Sequence, residues 1–424
     1  MTAKRRLVVG LLLAGSLTAC SSSGGSGGSG GSSASAGSGG SGTKTITIGI
    51  MTPLNGPVAS SFGQNTVNAA KARIELANAD HEIPGVTLKL VSEDEGSSPQ
   101  TSLSALQRLS EQDHADVVLA AGVFFFGSYR YAVQKNIPVV GDCIDGPECG
   151  DPRNKNIFAT FGSSDNNFPN YTGIPEFFKQ QGGTRYCGIG YNFPSTVANG
   201  KAMAGSVKAA GIPVPYTNFS FDAGAANFSS ISLAIKNAGC DIVGTQMQLG
   251  DSLSLFTAMK NAGITLKASF VQGGYGQELF DDPASTAAAQ GIDMAAGYTP
   301  ASLKTPGVTR MMNALKTSAN WTKPYPAAGH EWGWFTADTA VTGLKAAAAA
   351  KDTSQQGFID ALRKVTSDDH GGMTCPVNYS TFADTQQQFP GNCTYMVKVK
   401  GTEFVSLTGQ DEIKIKAVPG TKNG

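Results

Sequence analysis

The chain has 424 residues, and its 32 Lys plus Arg are balanced by 32 Asp plus Glu. That balance gives no field to draw it to nucleic acid or to acidic lipid, so the expected partner is a small molecule. Four scattered histidines and the lack of any Cys-x-x-Cys pair argue against a metal centre, and no cofactor is expected.

Residues 1–19 carry, in order, the cationic patch Lys4, Arg5 and Arg6, an apolar run from Leu7 to Leu17, and small residues before Cys20. This order reads as an export signal. The apolar run is roughly half the length needed to cross a hydrocarbon core of about 30 Å, so a permanent span is a poor reading. Leu17-Thr18-Ala19-Cys20 resembles the bacterial lipobox, which implies a diacylglycerol on the thiol of Cys20 and a place at the outer face of the cytoplasmic membrane. Two acyl chains give the anchoring that one cannot. Residues 20–43 are almost all Gly and Ser, with no apolar surface to bury, and form a tether reaching about 25–30 Å.

From Lys44 the remaining roughly 380 residues suit two compact domains. Strands are predicted at 46–51, 87–92, 117–120 and 139–141, with helical periodicity over 65–79, 101–111 and 127–135. A second series has strands at 186–190, 215–219, 242–245, 269–272 and 292–295 and helices over 197–210, 230–238 and 252–262. Gly211, Gly239 and Gly263 follow those helices, where a left-handed residue closes a helix. Residues 305–365 read as nearly all helical, including the alanine-rich stretch 336–351. Near the end, 395–399 and 403–407 flank Lys400-Gly401 as a hairpin. Alternating strands and helices predict an α/β fold of two doubly wound αβα lobes.

Beyond Cys20 there are six cysteines, an even number in an exported chain, which suggests up to three disulfides. Among fifteen connectivities, the expected one pairs Cys143 with Cys149 across a short Gly/Pro loop, Cys187 with Cys240 between two neighbouring strand regions, and Cys375 with Cys393 near the C-terminus.

The run Ile48-Gly49-Ile50-Met51-Thr52-Pro53-Leu54-Asn55-Gly56-Pro57, followed by Ser61-Phe62-Gly63, resembles the type I periplasmic-binding family typified by branched-chain amino-acid receptors. So does Asn227-Phe228-Ser229-Ser230 before a helix ending in Ala238-Gly239-Cys240-Asp241-Ile242-Val243. The resemblance implies two lobes joined by a three-strand hinge near residues 161–164, 297–301 and 367–373, closing over a ligand held at the strand ends. It places 44–162 plus 299–370 in lobe I and 163–298 plus 371–424 in lobe II. It also implies a monomer that works with ABC permease subunits.

Strand-end loops supply the candidate ligand-binding residues. Phe62 follows the first strand, and Phe124 and Phe125 stand in Gly122-Val123-Phe124-Phe125-Phe126-Gly127, where amino-acid receptors usually carry a serine-containing turn. Phe193, Gln246, Gln248, Asp251 and Tyr275 lie in loops of the second series. Tyr275 sits in Gln272-Gly273-Gly274-Tyr275-Gly276, where such a receptor would offer a carboxylate to the ligand ammonium; no acid is there. Asp142 and Asp251 are the nearest substitutes, each also readable as a solvated or capping aspartate. Trp332 begins the long helix after the second crossover together with His330, Glu331 and Trp334.

Such a cleft is richer in aromatic than in ionic groups, and the ligand expected from it is an aromatic or alicyclic carboxylate. Branched-chain amino-acid or amide binding, and a ligand-sensing receptor subunit, are the alternatives. No Gly-x-Ser-x-Gly, His-Glu-x-x-His or Gly-x-x-x-x-Gly-Lys motif is present, so an enzyme is not expected.

Overall fold

The computed structural model describes residues 43–421 except 57, 144–145, 147, 162–168, 223–226 and 382–391. The export signal, Cys20 and nearly all of the tether fall outside them. The first half lays down β1 (Lys44–Thr52), α1 (Gly63–Ala79), β2 (Val86–Asp94), α2 (Pro99–Gln107), β3 (Val117–Ala120), α3 (Tyr129–Lys135), β4 (Val139–Asp142) and β5 (Ile157–Phe161). These strands form one parallel sheet in the order β2-β1-β3-β4-β5. The helix expected over 101–111 is divided: α2 gives way to a wider π turn at Arg108–Gln112 that buries Leu109 while Arg108 reaches out to Glu93.

The chain continues through α4 (Ile174–Gln180), β6 (Tyr186–Tyr191), α5 (Pro194–Ala209), β7 (Tyr216–Phe221), α6 (Phe228–Ala238), β8 (Ile242–Gln246), α7 (Leu249–Asn261), β9 (Ala268–Val271), α8 (Glu278–Asp281), α9 (Pro283–Ala288) and β10 (Asp293–Ala296). Gly239 closes α6 at φ 65°, and Gly211 and Gly263 are likewise left-handed. Three helices follow, α10 (Pro306–Ala319), α11 (Ala328–Ala349) and α12 (Gln355–Leu362), and then β11 (Cys393–Lys400), β12 (Glu403–Ser406) and β13 (Ile413–Lys414). The second sheet runs β12-β11-β10-β9-β8-β6-β7, with β11 antiparallel to both β10 and β12.

Each sheet is covered on both faces, as parallel strands require. On the first, Ile46, Ile48, Ile50 and Val140 pack with Val67, Ala70 and Ile74 of α1 and Ala337, Ala340, Val341 and Leu344 of α11, while Met51, Val118, Ala120 and Val139 turn to the opposite face. On the second, Phe177, Phe178, Ala202 and Met203 cover one face, and Ile231, Ile235, Leu255 and Phe256 the other. The chain is therefore an α/β protein of two doubly wound lobes.

It leaves the second sheet after β10, builds α11 and α12 onto the first, and returns as β11. Where those two passages meet, Thr299 N–H donates to Met373 O (2.8 Å). The passage from β5 to β6 runs through residues outside the described set. All three expected disulfides are present, Cys143–Cys149, Cys187–Cys240 and Cys375–Cys393, each with Cα atoms 5.9 Å apart.

Candidate functional site

The loop after β1 is held by the acid that ends β2. Asp94 accepts from the N–H groups of Leu54 (2.9 Å) and Gly96 (2.8 Å) and from Asn55 Nδ2 (2.8 Å). Burial opposes its charge, yet these bonds hold the carboxyl below its usual range. α1 starts just beyond, preceded by Phe62, which is buried. α11 approaches α1 so closely that a Cβ at Gly333 would stand 1.9 Å from Thr66 O, and one at Gly329 2.3 Å from Phe62 O. Two glycines one turn apart let the helices meet backbone to backbone. Trp332 then lies with its ring centroid 5.3 Å from that of Phe62.

The carboxyl end of the first sheet is acidic. Glu95 follows β2 and is fully buried, Asp142 ends β4 at 1% exposure, and Glu331 is half-buried in the first turn of α11. Alternate strand residues share a face, so Thr52 and Asp142 continue the faces of Ile50 and Val140 toward α1 and α11. Both carboxylate oxygens of Asp142 and the Thr52 hydroxyl are buried without a hydrogen-bond partner among the described residues. Burial, then the nearby acids Glu331 and Glu95, push the Asp142 carboxyl well above its ordinary range. Burial also lifts Glu331 to about 8. An unpaired buried charge costs several kcal/mol, so Asp142 is held as the neutral acid.

At the ends of the second sheet, Tyr191 closes β6 and ties two loops together. Its hydroxyl donates to Asp251 Oδ2 (2.7 Å) in the first turn of α7 and accepts from the N–H of Gln248 (3.2 Å). Phe193 is 49% exposed, with its ring 5.5 Å from that of Tyr191. Gln246 ends β8 half-buried, and Gln248 is exposed at the start of α7.

Two aromatics expected at the cleft lie elsewhere. A 3-10 turn at Phe125–Gly127 swings Phe125 into the core with Val118, Val139 and Cys143, leaving Phe124 half-buried and Phe126 37% exposed, 6.2 Å apart. Tyr275 is buried against Tyr298 (5.6 Å) and Phe404 (4.6 Å), and its hydroxyl accepts the Ala301 N–H (2.6 Å). It braces the passage out of β10. Thus Phe62 is brought to Trp332, and Phe193, Gln248 and Asp251 are linked through Tyr191, while Phe125 and Tyr275 serve the cores.

Sequence reasoning gave no binding role to Glu95, Glu331 or Tyr191. Each sits where a strand or helix terminus could have drawn notice: Glu95 in Ser-Glu-Asp-Glu-Gly closing a predicted strand, Glu331 beside Trp332, Tyr191 at the end of β6. His330 is a structural neighbour. It is fully buried, its Nδ1 accepts the Ala327 N–H (3.0 Å), its ring meets Trp321 at 4.6 Å, and burial lowers its pKa to about 4, so it is neutral.

A second charged group lies between α1, α11 and the segment after α12. Arg73 pairs with Glu82 (2.8 Å) and with Asp338, and His370 Nδ1 meets Asp338 Oδ2. Arg310 (2.6 Å) and Lys345 (3.2 Å) also reach Glu82. Asp338, Asp368 and His370 are close enough to share an ion. The Arg73 guanidinium already supplies the positive charge there, and the group reads as a structural network.

No helix among the described residues is long and apolar enough to cross a membrane. No curated protein is a significant match to the sequence. Among solved structures, the chain resembles a branched-chain amino-acid ABC transporter protein of Thermus thermophilus with bound valine, at 15% identity and TM-score 0.69, covering 89% of this chain and 98% of that one. It resembles a solute-binding protein of an ABC transporter of R. palustris in complex with 4-hydroxybenzoate, at 18% identity and TM-score 0.67, covering 90% and 98%. A fatty acid ABC transporter substrate-binding protein of Thermomonospora curvata is similar at 18% identity and TM-score 0.67, covering 89% and 93%. At these identities the likeness is one of fold. The periplasmic binding protein family model matches residues 45–403, nearly the whole of the described body, and the chain belongs to that family of solute-binding proteins.

Proposed function

We propose that the chain is exported, loses residues 1–19, is held at the outer face of the cytoplasmic membrane by a diacylglycerol on Cys20, and captures a small organic solute for the permease of an ABC importer. Residues 20–43 act as the tether. Lobe I, 44–162 plus 299–370, and lobe II, 163–298 plus 371–424, close over the solute as a monomer. The observation that carries this reading is the set of buried polar atoms on Thr52 and Asp142, at the strand ends, that have no partner among the described residues. Ligands of open α/β sheets sit outside those ends, and a fold that leaves such atoms unsatisfied is completed by a bound molecule.

Phe62, Trp332 and Phe124 would line the apolar body of the solute from lobe I. Phe193, Gln246, Gln248 and Asp251 would face it from lobe II, with Asp142 at the polar end. An aromatic or alicyclic body suits the aromatic wall, and proteins of this fold hold 4-hydroxybenzoate and valine.

Native mass spectrometry of the full chain, purified in mild detergent without refolding, tests the reading. The expected spectrum shows a small-molecule adduct lost on denaturation, on a polypeptide beginning at Cys20 and carrying acyl mass. A chain that carries no adduct, and whose melting temperature none of a panel of amino acids, aromatic acids and amines raises, would not be a solute receptor.

A further inference from the structure

We propose that the carboxyl end of the first sheet is the seat for a cationic group of the solute, an alkyl ammonium or a guanidinium, held by Asp142 and Glu331 with Glu95 behind them. This rests on the solute-binding reading above and names the chemical class that the site accepts.

The geometry comes first. Three acids from three elements meet at one edge of the fold: Glu95 after β2, Asp142 at the end of β4, Glu331 in the first turn of α11. Asp142 is almost completely buried and neither of its oxygens has a partner among the described residues; one strand position over from the β3 end, the buried Thr52 hydroxyl is in the same condition. A buried carboxyl group and a buried hydroxyl near the strand ends, both without a partner among the described residues, leave acceptors that a donor from outside the chain can fill.

Among the described residues no group supplies that donor. The charged groups that act on Asp142 are Glu331 and Glu95, both acids. Arg73 is engaged with Glu82 and Asp338, Arg310 and Lys345 with Glu82, and Arg108 with Glu93. Glu331 also acts on Tyr298 and Tyr275, which follow β10 and β9.

A metal ion fits less well than an organic cation. Among the described residues, the group whose donor atoms converge tightly enough for an ion is Asp338, Asp368 and His370, and the three acids at the sheet edge do not form such a group. Carboxyl oxygens set further apart suit the several N–H donors of an ammonium or guanidinium, which reach each acceptor at hydrogen-bond length. Trp332 follows Glu331 directly and stacks near Phe62, placing aromatic faces beside the same seat.

The resting state follows from burial. With no cation present, burial holds the Asp142 carboxyl well above its ordinary range and Glu331 at about 8. When an ammonium enters, each carboxyl that ionises gives its proton to solvent and keeps its electron pair for the incoming N–H. Binding is thus coupled to proton release. The groups facing this exchange are Asp142, Glu95 and Glu331 from the first lobe and the phenols Tyr275 and Tyr298 from the second.

Calorimetric titration of the full chain with benzylamine, putrescine and agmatine, against benzoate and cyclohexanecarboxylate, decides the matter. At least one amine is expected to bind about tenfold or more tightly than either acid, with affinity rising between about pH 6 and about pH 8 and with buffer-dependent heats that report proton release. Asp142→Asn and Glu331→Gln should each weaken the amine by about tenfold or more and diminish that release. Because the amide mimics the neutral acid in the unliganded site, both variants should melt no lower than the parent, which separates a binding role from a folding one. If a carboxylate lacking any cation binds and Asp142→Asn leaves it unchanged or tighter, the cationic seat is overturned while the solute receptor stands. If no probe binds and none copurifies, the receptor reading falls with it.

Discussion

His370 Nδ1 lies 2.9 Å from Asp338 Oδ2, and both side chains are buried. Asp338 carries two partners, since Arg73 takes its other oxygen. The pair joins α11 to the segment between α12 and β11, where the chain turns back toward the second sheet. Asp338→Asn leaves Arg73 with Glu82 as its remaining carboxylate and takes the charge away from His370, so it should lower stability by about 2–3 kcal/mol. Denaturant unfolding of the parent and variant measures the difference.

The same pair sets a pH dependence. For His370, burial lowers the pKa but its bond to Asp338 and the charges of Asp368, Asp338 and Asp369 outweigh it, raising the folded value above 6.5. Its contribution is therefore full below about 6.5 and is lost as pH rises through the folded value. Glu331, raised to about 8, works in the same direction: the folded state holds a proton that the unfolded chain has released, so stability declines as pH climbs toward 8. Asp338 is depressed despite burial, by Arg73 and His370, and its contribution is lost only as pH falls well below the ordinary carboxylate range. Melting temperature should therefore be highest in mildly acidic solution and fall steadily from about pH 6 to about pH 9. Thermal melts across that range in unliganded protein provide the check.

Gly333 marks the closest approach of α1 and α11. Gly333→Ala would push a methyl group into Thr66 O, which is backbone and cannot rotate away. Separating the helices is expected to cost about 1–3 kcal/mol and to draw Trp332 off Phe62. Lower melting temperature together with a shifted tryptophan emission would report both effects. Gly263→Ala differs in kind: it meets no atom, and its cost would come from the left-handed backbone alone.

The fold was legible wherever local pattern and global architecture agreed. The short β-prone runs at 46–51 and 242–245, glycine closure at Gly239, and the Lys400-Gly401 hairpin each obey short-range rules. β5 was missed: no strand was predicted over Ile157–Phe161, whose last residue begins the first expected passage between lobes. The site was less legible for a physical reason. Whether an aromatic after a strand faces a cleft or a core depends on one turn of backbone, and the 3-10 turn at Phe125 decided it. Burial of an acid is likewise a property of three dimensions; nothing in the local sequence of Asp142 says that Glu331, almost two hundred residues on, acts on it.

The disulfides should differ in worth according to the chain they close. By loop-closure entropy, removing Cys187–Cys240, with a separation of 53 residues, costs roughly 4 kcal/mol; Cys375–Cys393, with 18, roughly 3; and Cys143–Cys149, with 6, roughly 2. Paired Cys→Ala variants ranked by denaturant midpoint test the order. A reversal would mean that packing around each bridge, and not chain entropy, governs its contribution.

Phe62 and Trp332 offer a test of binding that leaves the acids untouched. Trp332 is half-buried and its ring lies against Phe62, so replacing it removes contact area from the aromatic wall while leaving the apolar layer of Ala337, Ala340 and Val341 in place. Trp332→Ala should weaken the copurified solute by about tenfold to a hundredfold, equivalent to about 1.4–2.8 kcal/mol. Trp332→Phe keeps an aromatic face and should recover most of that loss. Equilibrium titration of the three proteins with the solute found by mass spectrometry gives the comparison. Equal affinities across them would place the solute away from this wall, toward the Tyr191, Gln248 and Asp251 cluster of the second lobe.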